Sequence, residues 1–175
     1  GKGIKSSLLM SKASSLYRCL SKTIFSSSSL LKILNDEICE TTTRGMFVTM
    51  IVGVYDKNKN ELLLSNAGHE PPLIFSKDGN FKTIDEAGPP LGIAPNFKFT
   101  EQIISFKESS MYIFTDGITE MKNNNGEMLG QEGFQDYIKK YQSTPNNKRL
   151  QKMIEDLISS GRIQKDDLTI VTVDG

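Results

Sequence analysis

The sequence predicts an α+β domain built on antiparallel strands, and three observations carry that expectation. Helical periodicity opens the chain, and after Arg44-Gly45 it gives way to short apolar runs divided by polar turns of hairpin length. Two amphipathic helices and one last apolar strand then close the chain. Helices and strands are grouped rather than alternated, which favours an antiparallel block with helices packed on it over a parallel βαβ sheet. At 175 residues, 37% of them hydrophobic, a single domain spanning 1–175 is expected to bury a sizeable core.

The elements follow in order. Ile4, Leu8, Ala13, Leu16, Tyr17, Leu20 and Ile24 recur at helical spacing and predict a packed first helix. The same region, residues 1–35, is serine-rich, with six basic residues and no acidic one, a composition shared with organelle transit peptides. Periodicity decides for the helix, with its basic face in solvent. Ser26–Ser29 read as a connection and N-cap region, and Leu30, Leu31, Leu34 and Ile38 mark one side of a second helix. Phe47–Tyr55 reads as a buried strand, Asp56–Asn60 as a polar turn and Glu61–Ala67 as the hairpin partner. Leu73–Ser76 and Phe81–Ile84, around Lys77-Asp78-Gly79-Asn80, predict a second hairpin. Gly88-Pro89-Pro90-Leu91-Gly92 is expected to be irregular, since proline removes donors and glycine permits unusual dihedrals. Strands are predicted at Glu101–Phe106, Met111–Phe114 and Leu168–Val173. Between the last two, Phe134, Tyr137, Ile138 and Tyr141 line one helix and Leu150, Met153, Ile154, Leu157 and Ile158 another.

Composition excludes several classes. Lysine plus arginine (21) equals aspartate plus glutamate (21), so no net charge draws the chain to nucleic acid or to an anionic membrane. Cys19 and Cys39 lack the spacing of a zinc knuckle, and two thiols in a chain this long suggest a reducing, cytoplasmic compartment. The longest apolar run, Met46–Tyr55, is far too short to span a bilayer.

Few residues remain that could carry chemistry. Asp116 ends the apolar strand Met111–Phe114 and is followed by Gly117, an arrangement that places a carboxylate on a rigid rim and leaves its backbone open to a metal or phosphate. Asp-Gly is equally a common strand-ending turn. Asp166-Asp167 precedes the last apolar strand, and adjacent like charges are relieved by a hard cation or by water. Both pairs lie at ends of strongly apolar strands, so a layered fold can bring them together. His69, the only histidine, sits in Asn66-Ala67-Gly68-His69-Glu70-Pro71-Pro72 and reads first as a turn residue bonded to nearby backbone, and second as a proton carrier. There is no Gly-x-Ser-x-Gly elbow, and Gly1-Lys2-Gly3 is no phosphate-binding Walker loop. Asn123–Glu127 lacks calcium-loop spacing and reads as a turn.

Taken together, six segments resemble the SpoIIE-like metal-dependent protein phosphatases of the PPM superfamily. They are Gly1-Lys2-Gly3-Ile4, Met46–Met50, Asn66–Leu73, Pro90–Ile93, Thr115-Asp116-Gly117-Ile118-Thr119-Glu120 and Asp166-Asp167-Leu168-Thr169. The resemblance implies an antiparallel β-sandwich flanked by helices, with a two-ion Mn²⁺ or Mg²⁺ centre between the sheets. It also implies hydrolysis of phosphoserine or phosphothreonine on a signalling protein, such as an anti-anti-sigma-type partner. Asp116 and Asp166 match metal ligands of that family, while Gly1, Gly3, Gly68, His69, Gly117 and Asp167 match neighbouring motif positions. The family's further ligands lie on its first strands and just before the Ser-Gly-Lys-Gly turn, both upstream of Gly1. Asp36, Glu37 and Glu40 lie on a helix and do not replace them. The expectation is therefore a cut or processed chain with its first strands missing. Two carboxylates would hold the cation weakly and hydrolysis would be impaired. Exposed sheet edges then invite a homodimer. The competing expectation is a non-catalytic module that binds a phosphoprotein without hydrolysing it.

Overall fold

The computed structural model of the protein describes residues 3–41, 45–85, 87–105 and 108–175. Its elements are α1 (Ile4–Leu20), α2 (Ser27–Thr41), β1 (Met50–Asp56), β2 (Glu61–Ala67), β3 (Leu73–Ser76), β4 (Phe81–Thr83) and β5 (Gln102–Ser105), then β6 (Ser109–Phe114), α3 (Asp116–Thr119), α4 (Gly130–Lys140), α5 (Asn146–Ser159) and β7 (Ile170–Asp174). Every pairing between these strands is antiparallel, as the grouping of elements in the sequence predicts. The chain divides into two compact units, Gly1–His69 with Asp85–Ser105 and Glu70–Ile84 with Phe106–Gly175.

The first unit carries a three-stranded sheet in the order β1-β2-β5 and both N-terminal helices. The β1–β2 hairpin runs from Met50↔Ala67 to Asp56↔Glu61. Its turn is closed by the Asp56 carboxylate, which accepts the Asn58 and Lys59 N–H groups, and by Asn60 in the left-handed region. Helix α2 buries Leu30, Leu31, Leu34 and Ile38, the side its sequence predicts, against Val52, Ala67, Leu91 and Phe99. Helix α1 keeps Ala13, Leu16 and Leu20 of its expected stripe on the packed side, with Ile24 just beyond its end, and takes Leu9 in place of Leu8. Leu9 and Ala13 are inside with Leu16 and Leu20 packed beside them, while Ile4 is 81% exposed and Leu8 and Tyr17 also face solvent. Adjacent leucines at 8 and 9 allow two apolar stripes on one helix. The one centred on small Ala13 lets α1 close on α2. Strand β1 begins three residues later than predicted, because Val48 exchanges both backbone bonds with Leu91 as an isolated bridge.

The start of α2 is fixed by an acid distant in sequence. Ser26 caps it, its hydroxyl accepting the Ser29 N–H, and the Glu101 carboxylate accepts the Ser28 N–H at 3.0 Å and the Ser26 and Ser27 hydroxyls. Burial raises the Glu101 pKa, but these donors outweigh it and hold the carboxyl below its ordinary value of 4.5. A depressed folded-state pKa adds stability above the unfolded value, and that stability is lost as pH falls through the folded one. Glu101→Gln is therefore expected to cost about 0.5–1 kcal/mol at pH 7, the worth of a charge at a helix N-terminus. Below about pH 4 the difference should shrink as the carboxylate protonates; denaturant melts at pH 7 and pH 3 test this, and an equal loss at both would refute it.

The second unit carries a four-stranded sheet in the order β4-β3-β6-β7, with α3, α4 and α5. Its core joins Leu73, Phe75, Tyr112 and Phe114 of the sheet to Phe134 and Ile138 of α4 and Met153 and Leu157 of α5. The Phe114 and Phe134 rings lie 4.8 Å apart. Helix α5 packs its predicted face through Met153 and Leu157, with Leu150 and Ile154 half-buried, and adds an arginine to it. Arg149, Met153 and Leu157 are buried, and Ile158 is 59% exposed. The arginine enters because it has partners there. Its guanidinium donates to Asp174 Oδ1 at 3.0 Å and to the Tyr112 hydroxyl at 3.2 Å. The Asn123–Glu127 segment is a turn, with the Asn123 amide oxygen accepting the Asn125 and Glu127 N–H groups. Among the described residues no helix is long and apolar enough to cross a membrane.

Candidate metal site at the end of β6

The β6–β7 ladder ends at Phe114↔Ile170, and the two predicted acidic motifs meet just beyond it, within the second unit. The Thr115 N–H donates to the Thr169 carbonyl at 3.2 Å. Its hydroxyl accepts the Thr169 N–H at 3.2 Å and donates to the Asp167 carbonyl at 3.2 Å. Asp116 opens the short α3, where its carbonyl accepts the Glu120 N–H and the Thr119 hydroxyl. Gly117 is buried against the facing loop. A Cβ there would lie 2.4 Å from the Asp167 carbonyl oxygen and 3.5 Å from the Asp166 carbonyl carbon. Glycine is required for space, and the group it admits is the Asp167 carbonyl, where the sequence suggested a metal or phosphate.

The carboxylates at this junction are open. Asp116, Asp166 and Asp167 are all exposed. Asp166 Oδ1 accepts the Asp167 N–H at 2.9 Å, and the Asp116 carboxylate takes no hydrogen bond or ion pair among the described residues. Open carboxylate oxygens are the donor type a hard divalent cation takes. No group of three or more His, Cys, Asp or Glu able to hold a metal occurs among the described residues. Two carboxylates would supply only part of the shell of a Mg²⁺ or Mn²⁺ ion, the remainder coming from water or phosphate oxygens. Asp36, Glu37 and Glu40 lie on α2 of the first unit.

Asn66-Ala67-Gly68-His69 of the histidine motif belongs to the first unit and is a built turn. Buried Asn66 brackets it, its amide donating to the His69 carbonyl at 2.9 Å and accepting the His69 N–H at 2.9 Å. Gly68 has φ 64°, and a Cβ there would meet Pro90 at 2.5 Å, so conformation and space both demand glycine. The imidazole Nδ1 lies 3.2 Å from the Thr49 hydroxyl. The turn reading holds, although it is the His69 backbone that Asn66 ties, while the ring meets a side chain. Gly3 precedes α1 with φ 94°, its carbonyl accepting the Ser7 N–H; Gly1 lies outside the described residues. Sequence reasoning missed Asn35 as well, which is buried on α2 and accepts the Gly92 N–H while donating to the Ala94 carbonyl. Its position beside Leu34 on the apolar side of the helix is the one signal that could have found it.

The chain has the fold of PP2C-type domains, on which it superimposes along nearly its whole length. The chain belongs to the family described as stage II sporulation protein E (SpoIIE), whose model matches residues 1–174. It is 28% identical over 176 residues to the phosphoserine phosphatase RsbU of Bacillus subtilis, covering 99% of this chain and 52% of that protein. The chain thus spans about half the length of that relative. The crystal structure of the RsbU and RsbW domains of Rv1364c from Mycobacterium tuberculosis superimposes with a TM-score of 0.81 at 21% identity, over 98% of this chain and 48% of that one. The SiaA-PP2C domain of Pseudomonas aeruginosa gives 0.81 at 15% identity, over all of this chain and 72% of that one.

Proposed function

We propose that the protein hydrolyses phosphoserine or phosphothreonine on a signalling protein, as one domain over 1–175, with Asp116 and Asp166 holding Mn²⁺ or Mg²⁺. The observation that supports this reading is the packing of Gly117 on the Asp167 carbonyl, which brings the Asp116 and Asp166 loops together in a chain of the SpoIIE family. A bound divalent ion supplies a water of lowered pKa and neutralises charge on phosphoryl oxygens. The residues do the rest. Asp116 is held at the start of α3 by backbone bonds alone, so its carboxylate stays available. Asp166 spends one oxygen on the Asp167 N–H, which orients the carboxyl and leaves its other oxygen outward. No nucleophilic side chain is needed, and His69 is given none of this work.

The test is hydrolysis of a phosphoserine peptide by the protein with excess Mn²⁺ and with EDTA. Turnover that needs Mn²⁺ supports the proposal. Phosphopeptide binding without turnover favours the second reading, a non-catalytic phosphoprotein-binding module, which the absence of a third clustered ligand among the described residues keeps in view. Self-association through sheet edges belongs to the same proposal, since β5 and β7 end their sheets and carry exposed Ile103 and Val171. A dimeric mass by light scattering at micromolar concentration is expected, and a monomer would remove that part. The cytoplasm is the compartment proposed.

A further inference from the structure

We infer that Thr115 is a positioning residue whose hydroxyl holds the Asp116 and Asp166 loops at the spacing a shared divalent cation needs. The inference rests on the metal reading above and names how that site is kept assembled. Thr115 occupies the N-cap position of α3, where a threonine hydroxyl ordinarily accepts an N–H of its own helix. Here it makes no such cap. It turns to the other loop instead, accepting the Thr169 N–H and donating to the Asp167 carbonyl, both at 3.2 Å. Farther out the same two segments are joined by Arg162, which donates to the Met121 and Glu127 carbonyls, and by the Lys122↔Ile163 bridge; among the described residues Thr115 is the side-chain link beside the aspartates themselves. Each aspartate is adjacent to an anchored residue, Asp116 to Thr115 and Asp166 to Asp167. Carboxylates gathered at one strand end repel in the absence of a cation, so loops carrying them spread unless tethered. A single hydroxyl that serves as donor and acceptor supplies that tether past the end of the backbone ladder. The β-branched side chain, at φ −95° and ψ 157°, restricts χ1 and so the direction of the hydroxyl.

The experiment compares Thr115→Val, which keeps shape and loses the hydroxyl, with Thr115→Ser, which keeps it. Mn²⁺ is titrated by water-proton relaxation, which reads weak sites without turnover, and Thr169 amide exchange and melting in EDTA are followed in parallel. The valine variant is expected to bind Mn²⁺ about 10–100-fold more weakly, the usual effect of losing a group that orients a ligand. Its Thr169 amide should exchange faster, while the serine variant stays within about threefold of wild type on the same scale. Arg149→Lys, on α5 against the far end of β6, controls for general destabilisation and should bind Mn²⁺ normally. A folded valine variant with wild-type affinity overturns the inference, as does an equal loss in both Thr115 variants. A wild-type protein that binds no Mn²⁺ overturns the metal reading and this inference together, and that result is distinguished because it needs no variant.

Discussion

Asp116→Asn is expected to weaken Mn²⁺ binding by more than about 100-fold, beyond what loss of an outer-shell partner costs, and to take phosphoserine hydrolysis below detection. The fold should survive. The Asp116 carboxylate bonds to nothing among the described residues, and what α3 uses is the Asp116 carbonyl, which asparagine keeps. An exposed isosteric change of this kind alters stability by no more than about 0.5 kcal/mol, or roughly 2 °C in a domain of this size. In EDTA the variant should melt at or above wild type, since removing one of several like charges relieves repulsion. With Mn²⁺ at 100 times the wild-type dissociation constant, the wild-type protein gains about 2.7 kcal/mol and the variant no more than about 0.4 kcal/mol. Equal Mn²⁺-induced shifts in both proteins would take Asp116 out of the site.

The sequence made the outline of the fold legible because its signals are local. Strand β2, strand β3 and the buried side of α2 stand where alternation and helical spacing place them. The errors share one origin, a partner far along the chain. Strand β7 starts two residues late because the Thr115 hydroxyl takes the Thr169 N–H that a ladder would use. Helix α1 turns Leu9 inward because α2 meets the stripe that contains Ala13. Periodicity scores Glu101 and Arg149 as surface residues, yet both are drawn inward by donors and acceptors it cannot see. At the site, residue types and strand-end positions pointed to Asp116 and Asp166. That their loops touch through Gly117, and that Thr115 joins them, is a matter of non-local geometry.

Arg149→Ala is expected to destabilise the protein by about 3–5 kcal/mol, the cost of breaking a buried ion pair by removing one partner. Its side chain is 11% exposed and its guanidinium serves Asp174, Tyr112, Ser110 and Asn146, together with the Thr144 carbonyl. Alanine leaves the fully buried Tyr112 hydroxyl without that donor, leaves Asp174 with only the Ser110 hydroxyl among the described residues, and opens space against the core. At about 2–4 °C per kcal/mol the melting temperature should fall by roughly 6–20 °C. Arg149→Lys keeps the charge but not the fork, and should lose less. The phenol adds a pH signature. Burial raises the Tyr112 pKa above its ordinary value of 10.0, and the guanidinium offsets that in part. A raised folded-state pKa gives stability that is present below the unfolded value and is lost as pH rises through the folded one, so an alkaline decline is expected above about pH 10. Without Arg149 the phenol ionises still later in the folded state, and that decline should steepen. A variant that melts within about 2 °C of wild type would show that Asp174 and Tyr112 find other partners and that α5 is held by its apolar side chains alone.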